Sequence, residues 1–318
     1  MDLAPRDPRI STEFVTANGL SFEVDMCGSG DKFALLLHGF PENSYSWRYQ
    51  MPLLADMGYR VWAPNLRGYG RSSKPKGIGA YAIDNLIDDV RGLVDAAGAK
   101  SVTLMAHDWG AIVAWYAAMA QVKPIDQLVI MNVPHPGAAR THSRNWDQLR
   151  KSWYIFFFQI PWLPEFVLGR NDAAAIERAF VEMAVDKSQF PRAVTDVFRR
   201  NAMIPGALNR MVNYYRALLR RRPKHPALVG GQLPLIETPT LIVWGEEDTA
   251  LSKSLTYGTD KFVRDLTIRY LPGVSHWVQQ EAPETVNAML SDFLTGSPVR
   301  EASDLTPAKG PQDSAEAA

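Results

Sequence analysis

Apolar positions along this chain fall into two alternating rhythms, one of period two and one of period 3.6. Two short alternating segments, 13–15 and 22–24, flank Ala17-Asn18-Gly19 and predict an opening hairpin. A continuous apolar run follows at 33–37, as in a strand buried on both faces, 102–105 reads as another buried run, and 59–63 and 127–132 also read as strands. Helical periodicity occupies 46–57, 83–96 and 111–120. Strand and helix alternating in this way predict an α/β fold with a mostly parallel sheet and helices on both faces.

The rhythm breaks after Pro136. Residues 139–234 read as helices with aromatic runs and frequent prolines, and strand-like segments resume at 238–244 and 266–271 before a last helix at 284–294. The expected organisation is therefore an α/β core of 1–138 and 235–296 with an inserted helical lid of 139–234. Insertions in such sheets emerge at the carboxyl ends of the strands, where ligands bind. The tail 297–318 has few large apolar residues and is expected to be disordered.

Composition narrows the class only by exclusion. Lys plus Arg and Asp plus Glu are 34 each, so no net field draws the whole chain to nucleic acid or acidic lipid. The basic run Arg220, Arg221, Arg222 and Lys224 reads as a solvated helix end. Cys27 is the single cysteine, so no intrachain disulfide can form, and it reads as a packing residue. The N-terminus is polar and no stretch reaches the length of a membrane span, which predicts a cytoplasmic protein. His38, His107, His135, His142, His225 and His276 show no metal-ligand spacing.

The decisive motif is Ala106-His107-Asp108-Trp109-Gly110, lying between a buried strand and a helix. That is the context of a nucleophile elbow, with Asp in place of Ser. Small residues two before and two after the nucleophile let strand and helix press together. Taken alone, Asp108 could equally cap the helix. As a nucleophile, a carboxylate gives an ester intermediate and suits epoxides or alkyl halides, whereas with esters it would form only an anhydride.

Elbow proteins carry nucleophile, acid and histidine in that chain order. Asp248 lies past the turn that ends the 238–244 strand and is the expected acid; Glu246 and Glu247 are its rivals and read as solvated. His276, in the loop after the 266–271 strand, is the expected base. The loop His38-Gly39-Phe40-Pro41-Glu42 follows the first parallel strand and would supply an oxyanion N–H from Phe40, beside that of Trp109. His38 and His107 read as structural.

Three stretches resemble the soluble epoxide hydrolases of the α/β-hydrolase fold. They are the loop from His38 through Trp47 to Gln50, Arg67-Gly68-Tyr69-Gly70-Arg71-Ser72, and His107-Asp108-Trp109-Gly110-Ala111. The resemblance spans residues 12–296; Ala106, where Gly is frequent, is a mild departure. It implies hydrolysis of an epoxide to a vicinal diol through an Asp108 ester, without metal or organic cofactor. It also implies two lid tyrosines holding the epoxide oxygen. Trp153-Tyr154-Ile155-Phe156-Phe157-Phe158 points to Tyr154, and Asn213-Tyr214-Tyr215-Arg216 points to Tyr215. Tyr214 is the rival, since adjacent helical residues point about 100° apart and only one can face a cleft.

Phe40, Trp109, Phe157 and Trp277 are candidates for an apolar wall. The expected partners are a small apolar epoxide and water, with no nucleic acid and no membrane, for a monomer or homodimer. A haloalkane or haloacid dehalogenase could use the same Asp-His-Asp machinery, but such enzymes place Asn at the Phe40 position or arginines after the nucleophile. A non-catalytic ligand-binding protein of this fold need not retain the full triad.

Overall fold

The computed structural model describes residues 5–142 and 146–305. These form an eight-stranded sheet, with β1 (Ser11–Ala17), β2 (Leu20–Cys27), β3 (Lys32–Leu37), β4 (Tyr59–Pro64), β5 (Val102–His107), β6 (Ile125–Met131), β7 (Thr240–Gly245) and β8 (Leu266–Leu271). The strand order is β1-β2-β4-β3-β5-β6-β7-β8. β1 and β2 form the antiparallel hairpin, β2 joins β4 antiparallel, and every later pairing is parallel.

The two-residue period of the buried runs divides them between two cores. Leu35, Leu37, Leu104 and Ala106 face one apolar cluster, and Ala34, Leu36, Met105 and Val129 face the other. A strand lined on both sides has no solvent face, which is why 33–37 is apolar throughout and even Thr103 in 102–105 is buried. α1 (Gln50–Asp56), α2 (Ile83–Ala96) and α3 (Trp109–Ala120) complete the first half of the core.

A helical insertion, the segment expected to be a lid, runs between β6 and β7. It holds α4 (Pro136–His142), α5 (Trp146–Lys151), α6 (Trp153–Phe157), α7 (Leu163–Met183), α8 (Arg192–Ala202) and α9 (Ala207–Arg220). α7 is broken at 170–173, where three of the four residues take positive φ. One side chain ties the lid together. Arg216 of α9 is buried, pairs with Glu165 of α7 at 2.6 Å, and donates to the carbonyls of Phe158 (3.0 Å) and Ile160 (2.7 Å). The segment that follows α6 is thereby fixed to the helix that carries Tyr215.

Several expectations are corrected. The helix expected over 46–57 is a 3-10 turn, Ser44–Trp47, followed by α1, because the Asn43 side chain caps the turn separately. α9 ends at Arg220, so Arg221, Arg222 and Lys224 lie beyond the helix rather than in it. Between His276 and α11 (Pro283–Leu294) stands α10 (Val278–Glu281), and the chain continues into α12 (Ala302–Leu305). Residues 297–305 are thus packed, not disordered: Val299 is buried in the second core, and Arg269 donates to its carbonyl and to that of Arg300. The rest of the expected disordered tail, 306–318, lies outside the described residues, as do 1–4.

Candidate active site

The turn from β5 into α3 puts Asp108 at φ 46°, ψ −121°, a left-handed conformation held by close packing on both sides. A Cβ on Gly110 would lie 2.2 Å from the Leu37 carbonyl oxygen, and one on Gly39 would lie 2.3 Å from the Asp108 Cβ. Both glycines are required by close approach. Ala106 is fully buried on β5, so the departure noted in the sequence fits the space available.

The Phe40 backbone N–H donates to Asp108 Oδ1 at 2.6 Å, and His276 Nε2 stands 3.6 Å from Asp108 Oδ2. On the other side of the ring, His276 Nδ1 meets Asp248 Oδ2 at 2.7 Å. Asp248 also accepts from Asn132 Nδ2 at 2.7 Å and from the N–H groups of Ala250 (2.7 Å) and Leu251 (2.9 Å). Its rivals stand apart: Glu246 pairs with Lys253 and Glu247 is exposed. The Trp109 amide opens α3 directly after Asp108.

Charge follows from this geometry. Burial alone opposes ionisation of Asp108, but His276 beside it holds its carboxyl below the usual range. Asp248 is likewise opposed by burial and held low by His276 and Asn132. Burial alone would push the His276 ring down; Asp248 and Asp108 outweigh it and raise the ring to about 10.

From the lid, Tyr215 lies over this cluster, its ring 5.0 Å from Trp109, 5.3 Å from Phe40 and 5.8 Å from Tyr154. Burial, with the Asp108 charge, raises both phenols, so both carry their protons at neutral pH. Tyr214 turns the other way and donates to the Arg67 carbonyl at 2.8 Å.

A family model described as the alpha/beta hydrolase fold matches residues 35–283. The chain is 34% identical to the AB hydrolase superfamily protein YfhM of Bacillus subtilis, over 90% of this chain and 98% of that protein. It is also 34% identical to Epoxide hydrolase 4 of Homo sapiens, over 91% of this chain and 80% of that protein. The crystal structure of a Bacillus megaterium epoxide hydrolase in complex with an inhibitor superposes with a TM-score of 0.80 at 28% identity, covering 89% of this chain and 100% of that one. The chain belongs to the α/β-hydrolase-fold epoxide hydrolase family.

In this family member the structure brings Asp108, His276, Asp248, Phe40, Trp109, Tyr154 and Tyr215 together at one end of the sheet. Trp277 is nearly inaccessible and packs against His276 (4.9 Å), His107 (5.7 Å) and Phe180 (4.4 Å). Phe157 meets Trp153 and Phe158. The ring that joins the site's aromatics is Phe158, at 5.4 Å from Phe40 and 4.7 Å from Tyr215, a residue sequence reasoning missed.

Asn132 was also missed. It lies just past β6 with φ 49°, and asparagine tolerates such a turn, which was the available signal. The two histidines beneath the site differ in kind. His38 is pushed down to about 4 by burial, accepts from the Leu66 N–H at 3.1 Å and is a neutral spacer. His107 places Nδ1 2.7 Å from Glu42 Oε2 and Nε2 2.9 Å from the His276 carbonyl oxygen. Its ring thus bridges the Glu42 side chain and the backbone of His276.

Proposed function

We propose that this chain converts an apolar epoxide to a vicinal diol through a covalent ester on Asp108. The observation that carries the reading is the opposed placement of a carboxylate and two protonated phenols, with Asp108 in the core and Tyr154 and Tyr215 in the lid above it. An epoxide carbon is strained, but its leaving group is a poor alkoxide, so attack gains from acids that give a proton to the oxygen as the C–O bond breaks.

In the first step Asp108 Oδ2 attacks the carbon, the C–O bond breaks, and the oxygen takes a proton from a tyrosine. Oδ1 stays on the Phe40 N–H and becomes the ester carbonyl oxygen. Esterification removes the Asp108 charge. That charge helps raise His276, so the ring loses affinity for its proton at the moment a base is needed. Neutral His276, oriented by Asp248, then takes a proton from water, and the water attacks the Asp108 Cγ. The oxyanion forms on the N–H groups of Phe40 and Trp109. The proton His276 gives up after esterification restores the tyrosine; on collapse the leaving diol oxygen takes the second proton of the water, and Asp108 is regenerated as a carboxylate beside the reprotonated His276. Balance requires only one water per turnover, so no cofactor enters the scheme.

A dehalogenase would share the nucleophile and base but would need donors to a halide. Tyr154 and Tyr215 favour an oxygen leaving group. The test is turnover of styrene oxide against release of bromide from a bromoalkane by the purified chain. Diol without bromide supports the reading; bromide without diol replaces it. No helix of the described residues is long and apolar enough to cross a membrane.

A further inference from the structure

The whole-chain charge balance conceals a strong division. Residues 139–234 hold 16 Lys and Arg against 7 Asp and Glu, a net charge of +9, and the rest of the chain holds 18 against 27, a net charge of −9. The lid is also where large apolar side chains meet water. Eight of the seventeen exposed large apolar residues among those described fall within 146–167, so the exposure is concentrated rather than scattered. Trp162 is 72% exposed, Trp153 64%, Phe156 63% and Phe166 56%.

Cations adjoin these rings. The Arg170 guanidinium stands 5.6 Å from the Phe166 ring. Arg220 donates to the Gln159 carbonyl at 2.7 Å and to its side chain at 3.1 Å, which brings the basic end of α9 against the stretch between Phe156 and Trp162. Trp162, Arg210 and Arg220 line one open cleft of about 480 Å³. Arg210 Nε is buried beside it with no hydrogen-bond partner among the described residues. Glu165, the acid in that cleft, is already neutralised by Arg216.

We propose that this outer face of the lid docks on an anionic lipid–water interface. Trp153, Phe156, Trp162 and Phe166 enter the headgroup region, and Arg170, Arg220, Arg221 and Arg222 face the anionic headgroups. Tryptophan rings favour that boundary, and each basic side chain near an anionic surface adds to the attraction. A second copy of the chain suits this face poorly, since it would set one +9 lid against another. α6 carries Trp153 and Phe156 outward and Tyr154 toward the site, so docking brings the site within one helix of the phase where an apolar compound concentrates. The docking itself does not depend on the epoxide reading.

The test is flotation of the full chain with vesicles of phosphatidylcholine alone and of phosphatidylcholine with phosphatidylglycerol. The expected result is capture by the anionic vesicles at least about tenfold above the neutral ones, released by added salt. Arg221→Gln/Arg222→Gln weakens capture by roughly tenfold or more, and Trp153→Ser/Phe156→Ser weakens it as well. Both variants keep the wild-type melting temperature, since they alter exposed side chains. Equal recovery with the two vesicles, or none with either, overturns the proposal. So does a dimer in solution that Trp153→Ser/Phe156→Ser dissociates, which would assign the face to a second copy.

Discussion

Tyr214 and Tyr215 are neighbours on one helix to which the proposed mechanism gives opposite duties, and removing one hydroxyl at a time separates them. Tyr215→Phe keeps the ring contacts with Trp109, Phe40 and Phe158, so the packing of the lid on the core is retained. What is lost is a proton donor above Asp108. General-acid assistance is worth about 10² to 10⁴ in rate. Tyr154 remains at 5.8 Å, so the loss should sit at the lower end, about 100-fold in the alkylation step, or ~2.7 kcal/mol of barrier.

Tyr214→Phe does the reverse. Its hydroxyl is the donor to the Arg67 carbonyl, in a buried region where Arg67 also pairs with Asp89. Leaving that carbonyl without its donor costs about 1–3 kcal/mol of stability. In a chain of this size that lowers the melting temperature by roughly 2–4 °C per kcal/mol. Alkylation should stay within about threefold of wild type, a change smaller than one tenfold step of 1.4 kcal/mol. Rapid-quench single turnovers measure the first quantity and thermal melts the second. Alkylation at the wild-type rate in Tyr215→Phe, or its loss in Tyr214→Phe, would refute the assignment of the two faces.

Two further perturbations address the buried histidines of the site. Glu42→Gln removes the buried carboxylate that meets His107 Nδ1 and accepts from the Gly39 N–H; the cost should be about 1–3 kcal/mol, read by denaturant unfolding, and turnover should fall as the Phe40 loop loosens, whereas an unchanged stability would contradict a structural role for these bonds. The His276 pKa is raised from an ordinary 6.5 to about 10, so its contribution to stability is fully present below about pH 6.5 and lost as pH rises toward 10. Melts of wild type and His276→Gln across that window should converge with rising pH, and a constant difference would show that the folded ring holds no extra proton.

Where physical pattern is repetitive, the chain could be read directly. Ile83–Ala96 and Leu266–Leu271 match the expected bounds, the first because one helical face must be apolar and the second because polar and apolar residues alternate over a short stretch that ends at Pro272-Gly273. The strand–turn–helix that carries Asp108 was legible because strand, small residue, carboxylate and glycine are contiguous. The same holds for Asp248 and His276, which follow strands in the required order.

What could not be read depends on contacts distant in sequence. Residues 297–305 hold one buried anchor, Val299, and are secured by Arg269 through backbone carbonyls, a bond that composition does not register. Phe158 was missed for Phe157 because α6 spans only five residues, too few to set the phase of a helical face. The lid's charge went unnoticed because an equal and opposite charge on the core cancels it in the total.

The covalent role of Asp108 is the centre of the account, and one measurement reaches it most directly. The purified chain, in excess over styrene oxide, is allowed a single turnover in heavy-oxygen water, and the peptide carrying Asp108 is then weighed. The account predicts diol without the label and heavy oxygen in Asp108, because water attacks the ester carbonyl. Heavy oxygen in the diol with an unlabelled Asp108 would mean direct attack of water on the epoxide, and would contradict the covalent mechanism.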